Sequence, residues 1–212
     1  MLEFLFAFLL NYQPAFAVII FATITLFVIN IFYKFLINQN EAKQLKQRTK
    51  ELNKELREAQ KAKNMDKANK LMNEMLSQNS KTMKMTMKPM MVSLIVVILF
   101  LPSMGIFYGD KHVTLQNSTG TVTINSINYT VVRDGTSVKI GEQTCSIPCT
   151  QKIGKYNYKV SDENGNVKVA MIVATLPITL PILGNTFGWL GWYIICSIPL
   201  VIVIRKFMKI YI

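Results

Sequence analysis

The fold of this chain is decided where an apolar stretch meets a strongly basic one, in residues 31–50, IFYKFLINQNEAKQLKQRTK. Upstream, residues 15–32 contain no Asp, Glu, Lys or Arg, and an apolar helix of about 20 residues crosses a bilayer. Downstream, residues 38–88 contain thirteen Lys or Arg and six Asp or Glu, a net charge of +7. Another uncharged stretch, residues 89–109, follows at once. Two membrane helices are therefore predicted to be joined by a long charged segment.

The composition of the whole chain also indicates a membrane protein. It has 212 residues, of which 50% are hydrophobic, and a net charge of +12. These apolar and charged residues lie in separate blocks, and a third apolar block ends in residues 188–204. We predict an α-helical membrane protein with three transmembrane helices, a cytoplasmic antiparallel coiled-coil hairpin between the first two, and a small extracellular β-rich segment between the last two.

The predicted boundaries follow these changes in composition. They are an interfacial N-terminal segment (1–14), span one (15–37), the hairpin (38–88), span two (89–108), the β-rich segment (109–172), an interfacial apolar segment (173–185), span three (186–205) and a basic tail (206–212).

The distribution of basic residues predicts the orientation. Residues 109–169 carry seven Lys or Arg against five Asp or Glu, much less positive than the hairpin, and the tail is basic. Under the positive-inside rule, the N-terminus lies outside and the hairpin and C-terminus are cytoplasmic. We expect a multi-pass protein of the plasma membrane.

Residues 38–88 have the pattern of a helix, a turn and a returning helix. Apolar residues recur at spacings of three, four and seven, and neither arm contains Gly or Pro. Asp66 is the predicted N-cap of the returning helix. The predicted seam residues are Leu45, Leu52, Leu56, Ala59, Met65, Ala68, Met72 and Met75.

Between spans two and three, short β-favouring runs alternate with turn residues, which predicts a small antiparallel β-structure. Cys145 and Cys149 lie there and are expected to form a disulfide or to remain free thiols. A metal site is disfavoured because a tetrahedral site needs four ligands and His112 is the sole histidine.

No catalytic constellation or phosphate-binding loop is present in the sequence, so we expect no enzymatic activity, no cofactor and no small-molecule substrate. Uncharged polar residues in the spans and methionines at their cytoplasmic ends suggest a groove that contacts a substrate chain. The alternative is that hydroxyls bond their own helix, Asn30 links helices and methionine fills the hairpin seam. The candidate groove residues are Thr23, Thr25, Asn30, Lys34, Ser93, Ser197, Met83, Met85, Met87, Met90 and Met91.

The basic residues of the hairpin are either a solvated surface or a contact for ribosomal RNA or anionic headgroups. The candidates are Lys43, Lys46, Arg48, Lys50, Lys54, Arg57, Lys61, Lys63, Lys67 and Lys70.

With these features the chain resembles archaeal YidC-like proteins of the Oxa/YidC/Alb insertase superfamily, which includes the third subunit of the eukaryotic ER membrane complex. The similar parts are span one, the hairpin, Lys88-Pro89-Met90-Met91, and the Gly-Trp-Leu-Gly-Trp-Tyr motif at 188–193 before Arg205-Lys206. Bacterial members carry an arginine within the groove and five core spans, whereas span one here offers Thr23, Thr25, Asn30 and Lys34.

The resemblance implies an archaeal plasma-membrane insertase or chaperone that works through a cytosol-open hydrophilic groove. Its implied partners are nascent membrane proteins, the ribosome, the lipid bilayer and other membrane subunits. The rival hypothesis is a membrane-anchored docking receptor or scaffold whose coiled coil binds a protein partner.

Overall fold

The computed structural model describes residues 3–124, 127–163, 165–180 and 184–211. Three helices among these residues are long and apolar enough to cross a membrane, which confirms the prediction of three apolar helices of spanning length. The helices are α1 Glu3–Phe6, α2 Pro14–Leu36 (span one), α3 Gln39–Lys61, α4 Met65–Tyr108 (the returning arm and span two) and α5 Trp189–Met208 (span three), with a 3-10 turn at Ala7–Asn11.

The chain forms two compact units. The hairpin unit comprises Ala22–Phe100 and Ser197–Ile212, and the β unit comprises Met1–Phe21 and Leu101–Cys196.

In the hairpin unit, span one and the hairpin are separated by a two-residue break at Ile37 and Asn38. The Asn38 carboxamide oxygen accepts hydrogen bonds from the backbone N–H groups of Asn40 (3.1 Å) and Glu41 (3.3 Å), which caps α3. On the other side of the break, the Gln39 amide donates to the carbonyls of Tyr33 (3.3 Å) and Ile37 (3.2 Å). Local side-chain bonds therefore satisfy the backbone at both helix ends.

Helices α3 and α4 pack through a small apolar core that lies near the hairpin tip. Its members are Leu52, Leu56, Ala59, Ala68 and Leu71, with Met75 packed against them. Met65 and Met72, which were predicted in this seam, are 65% and 40% exposed. They lie on the outer face because Ala68, Leu71 and Met75, at spacings of three and four, occupy the inner face of α4.

The tip of the hairpin also differs from the prediction. Asn64 caps α4, accepting a hydrogen bond from the Lys67 N–H at 3.0 Å, and Lys63 adopts a positive φ of 53°. Asp66 lies inside the first turn of the helix, so its assignment as the N-cap is wrong. An acidic residue in the first turn still complements the partial positive charge of the helix N-terminus.

Helix α4 runs for 44 residues, about 66 Å at 1.5 Å per residue, from the hairpin tip to the end of span two. It contains Pro89 at the start of the apolar stretch and Pro102 further along. Since proline has no N–H, each removes one hydrogen bond from the helical ladder.

The β unit corrects the predicted fold class. In the part of the chain that the structure describes, ten antiparallel strands form two four-stranded sheets and one two-stranded sheet, so the prediction of an α-helical protein with a small β-rich segment is wrong. The chain combines three apolar helices and a helical hairpin with a large β-structure. The strands are β1 Lys111–Val113, β2 Thr119–Ile124, β3 Ile127–Asp134, β4 Ser137–Ile140, β5 Gln143–Ser146, β6 Cys149–Ile153, β7 Tyr156–Glu163, β8 Asn166–Met171, β9 Ala174–Leu180 and β10 Gly184–Phe187.

The four-stranded sheets have the orders β1-β8-β7-β6 and β2-β3-β4-β5, and β9 pairs with β10. Each four-stranded sheet buries alternate residues on one face. Paired core residues include Val160 with Val169 in the first sheet and Val131 with Ile140 in the second. A disulfide between Cys145 and Cys149 joins the end of β5 to the start of β6.

The span ends that belong to the β unit pack through aromatic rings. The Phe21 ring lies 5.0 Å from that of Phe6 and 5.9 Å from that of Tyr193, centre to centre. The Trp192 indole N–H donates to the Ala15 carbonyl at 3.1 Å. These contacts hold the start of span one against the start of span three.

Candidate functional site

The largest fully buried polar side chain of the described spans is Asn30, in α2. Its amide nitrogen donates to the Leu26 carbonyl at 2.7 Å, one turn earlier in the same helix. Its amide oxygen accepts a hydrogen bond from the Arg205 Nε at 3.4 Å. Asn30 therefore links span one to span three through a charged partner.

Arg205 is half-buried in the last turn of α5. Its guanidinium carbon lies 5.6 Å from the centre of the Tyr33 ring, a cation–π geometry. We call Asn30, Tyr33 and Arg205 the Asn30 cluster. It places a cation beside an amide and an aromatic face at the hairpin end of spans one and three.

Thr25 adds a polar atom to the buried side of span one. It is fully buried, and its hydroxyl makes no hydrogen bond to any part of the chain that the structure describes. It precedes Asn30 by five residues, about 7.5 Å along the helix. A buried hydroxyl without a partner has unused capacity to bond a polar ligand.

The structure places the other predicted groove residues elsewhere. Thr23 and Lys34 are exposed on α2, and the Ser93 hydroxyl donates to the Met90 carbonyl of its own helix at 2.7 Å. Ser197 is half-buried on α5. Of the polar candidates in the spans, Thr25 and Asn30 thus have fully buried side chains.

Four of the five candidate methionines lie on one exposed face of α4. Met83, Met87, Met90 and Met91 are all more than half exposed, at spacings of four, three and one residues. Met85 is half-buried on another face. Of the alternating residues Met83, Met85 and Met87, the first and last therefore belong to an exposed methionine face, and Met85 lies on another face of the helix.

The basic residues of the hairpin also separate into groups. Arg48 is paired with Glu74 at 2.8 Å and contacts Glu51 (3.5 Å) and Glu55 (3.6 Å). The hydrogen bond to Glu74 raises the pKa of the Arg48 guanidinium. This arginine joins the two arms of the hairpin, and its charge is already balanced.

A row of cations along α3 lines an open groove with a volume of about 1110 Å³. Lys46, Lys50, Lys54, Arg57 and Lys61 line it at spacings of four, four, three and four, so they share one helix face. Lys63, Lys67 and Lys70 are exposed at the tip, outside this groove.

The C-terminal residues return to the base of the hairpin. After α5, Lys209 adopts a positive φ of 54° and Ile210 is buried. The Tyr211 N–H donates to the Gln39 side-chain oxygen at 3.1 Å, and the Lys43 ammonium lies 5.6 Å from the centre of the Tyr211 ring. Gln39 thus bonds both the end of span one and the tail.

Arg205 is the site residue that the sequence interpretation missed. The sequence places it at the end of predicted span three and assigns it no contact, whereas the structure directs it to Asn30. The available signal was that Asn30 and Arg205 both lie within about two turns of the hairpin-side end of their spans.

These three apolar helices and the buried polar cluster define a multi-span integral membrane protein. The model of the family described as integral membrane protein EMC3/TMCO1-like matches residues 3–127, more than half of the chain, and the chain belongs to this family. The family is part of the Oxa1/YidC-related insertase superfamily. Comparisons with curated proteins and with solved structures found no match. Arg205 and most of the β unit lie beyond the matched residues.

Proposed function

We propose that this protein is a membrane-protein insertase or chaperone that helps nascent transmembrane segments enter the bilayer. The observation that carries the proposal is the Asn30 cluster, a buried amide and a guanidinium side by side in otherwise apolar helices. The family supports the proposal, because it belongs to a superfamily of insertases.

The physical task of such a protein is to lower the cost of moving a polar flank through hydrocarbon. A charged side chain at the bilayer centre costs about 2.5–3.5 kcal/mol on insertion scales. Asn30 and Thr25 offer hydrogen-bonding atoms, and Arg205 attracts an acidic flank. No nucleotide and no chemical step is required in this mechanism.

The proposal includes an orientation and a location. Because the hairpin and the tail are basic, we place both in the cytosol, with the N-terminus outside. The Asn30 cluster then faces incoming clients from the cytosolic side. The resemblance to archaeal YidC-like proteins supports the plasma membrane as the site of action.

The exposed methionine face of α4 is proposed as the first contact for a client helix. Unbranched thioether side chains adapt to apolar surfaces of different shape, which suits varied clients. Met90 and Met91 lie at the start of the apolar stretch, so the face leads from the hairpin toward the bilayer.

We further propose that the lysines at the hairpin tip contact ribosomal RNA. Lys63, Lys67 and Lys70 are exposed and free of the ion-pair network around Arg48. We expect co-sedimentation with ribosomes that weakens with salt and is lost in Lys63→Glu/Lys67→Glu/Lys70→Glu. Unchanged binding by this variant would remove the ribosome contact from the proposal.

Site-specific crosslinking tests the central proposal. A photoreactive residue at position 30 or 87 should crosslink to nascent membrane proteins in native membranes, and one at the exposed apolar position of Ile202 should crosslink to lipid. Crosslinks from 30 and 87 to one stable partner alone would instead support a docking receptor and refute the insertase.

A further inference from the structure

The groove along α3 has a shape and charge that the proposed insertion mechanism does not use. It is a cavity of about 1110 Å³ in the hairpin unit, walled by one face of α3 and by α4 residues that include Thr82 and Met85. Tyr211 lines it at the base of the hairpin. The groove is therefore an elongated surface formed by residues that the structure describes.

The charge of the groove favours an anionic occupant. Five cations line it, Lys46, Lys50, Lys54, Arg57 and Lys61, against the two carboxylates Glu51 and Glu58. From Lys46 to Lys61 the row extends about 22 Å, which is four turns of a helix. Acidic residues at spacings of three and four on an opposing helix would meet these cations.

The groove also has an apolar floor. Ala42, Leu45 and Met85 contribute apolar atoms to its lining. Ala42 is buried, and Leu45 and Met85 are half-buried. An occupant with an apolar stripe beside its acidic residues would bury this floor, which matches an amphipathic helix.

RNA is a poorer fit to the same surface. Glu51 and Glu58 would repel phosphates, and Tyr211 is the sole aromatic among the described residues of the lining, where single-stranded RNA favours several stacking platforms. Lysines on an amphipathic helix could pair with those two carboxylates.

The occupant is also not supplied by this chain. The chain has 12 Asp and Glu in total, and six of them lie in the hairpin itself. A second hairpin carries the same net charge of +7 and would be repelled. The hairpin of a second copy is therefore disfavoured as the occupant by its charge.

We propose that the α3 groove is a docking site for an acidic amphipathic helix of another protein, about four turns long. The helix lays its apolar stripe on Ala42, Leu45 and Met85 and its carboxylates along the lysine row. The site is independent of the Asn30 cluster, so it stands whether or not the protein inserts clients.

Binding of a labelled peptide to the full chain in phosphatidylcholine nanodiscs tests this proposal. The probe is a 19-residue helix with Glu at spacings of three and four and Leu on the adjoining face, followed by fluorescence anisotropy at about 150 mM salt, where distant charges are screened. We expect Lys50→Glu/Lys54→Glu/Arg57→Glu to weaken binding more than tenfold. The matched control, Lys63→Glu/Lys67→Glu/Lys70→Glu, changes net charge equally outside the groove and should change affinity less than twofold.

A second variant tests whether the peptide occupies the groove, separately from effects of charge and of unfolding. Thr49→Trp adds bulk to the groove lining without changing charge, and it should also weaken binding, while circular dichroism reports that the helices remain. Equal binding of a scrambled peptide of the same composition would overturn the proposal. So would groove variants that lose a 20-nucleotide RNA but retain the peptide, because the groove would then be an RNA site.

Discussion

Replacing Asn30 by leucine separates a functional role of the buried amide from a structural one. The two side chains are similar in size, so Asn30→Leu leaves little cavity in α2. It removes the bond to the Leu26 carbonyl and the bond from Arg205. The guanidinium keeps its contact with the Tyr33 ring.

The expected loss of stability is small. Side-chain hydrogen bonds inside membrane proteins contribute about 0.6 kcal/mol each, and the bond from Arg205 is long at 3.4 Å. Leucine is also favoured over asparagine in hydrocarbon. We therefore expect the free energy of unfolding to change by no more than about 1 kcal/mol.

The expected loss of insertion activity is proportionally larger than the expected loss of stability. If the amide bonds a polar flank of the client during entry, its removal forfeits about 1 kcal/mol of net stabilisation, which slows insertion about fivefold. Protease protection of a client with an acidic flank, in proteoliposomes, measures the rate, and steric trapping measures the stability. Thr23→Leu, at an exposed position of the same helix, is the control and should insert normally.

Two results would refute this reasoning. Unchanged insertion by Asn30→Leu would show that the amide does not contact the client. A loss of more than about 3 kcal/mol in stability would show that Asn30 chiefly holds the helices together.

Three further predictions concern the hairpin and the β unit. Leu52→Ala should lower the stability of the hairpin by about 3 kcal/mol because Leu52 is fully buried, whereas Met72→Ala should lower it by less than about 1 kcal/mol. Hydrogen exchange of the α3 amides measures both losses. Equal losses for the two variants would contradict the observed seam. Burial raises the pKa of Tyr158 from 10.0 to about 12. The neutral Tyr158 phenol therefore contributes about 2–3 kcal/mol to the free energy of unfolding below pH 10, and this contribution is lost as the pH rises to 12. Pulse proteolysis across this pH range should show that the stability of Tyr158→Phe falls less with rising pH than that of the unchanged protein. The same pH dependence of stability in both proteins would argue against the buried phenol. Replacing Cys145 and Cys149 by serine opens a loop of sequence separation 4 and should lower the stability of the β unit by about 2 kcal/mol, measured in the same way; a change below 0.5 kcal/mol would contradict it.

The spans and hairpin were predictable from sequence because their signals are long. Twenty uncharged residues in a row, and apolar residues at helical spacing over two arms, leave few alternatives. The assignment of individual residues to the hairpin seam failed where two sets of residues both have helical spacing. Met65 and Met72 also have helical spacing, and only packing selects the face that contains Leu71.

The extent of the β unit was underestimated for a related reason. The strands around Cys145 and Cys149 are short and polar, and β9 contains Pro177, so their sequences carry weak alternation. Pairing with neighbouring strands supplies the stability that these segments lack alone. The partnership of Asn30 with Arg205 joins residues 175 apart in sequence, so their shared position near the hairpin-side ends of their spans was the single sequence signal for it.

The base of the hairpin has a mechanical consequence. One arm is interrupted at Ile37 and Asn38, and the other contains Pro89, where one backbone hydrogen bond is missing. Counted from Lys63, Asn38 and Pro89 lie 25 and 26 residues from the tip, so the interruptions in the two arms lie at the same level. We expect the hairpin to bend at this level without disturbing its own core, and Gln39, which donates to the Tyr33 carbonyl and accepts from the Tyr211 N–H, links the elements that meet there.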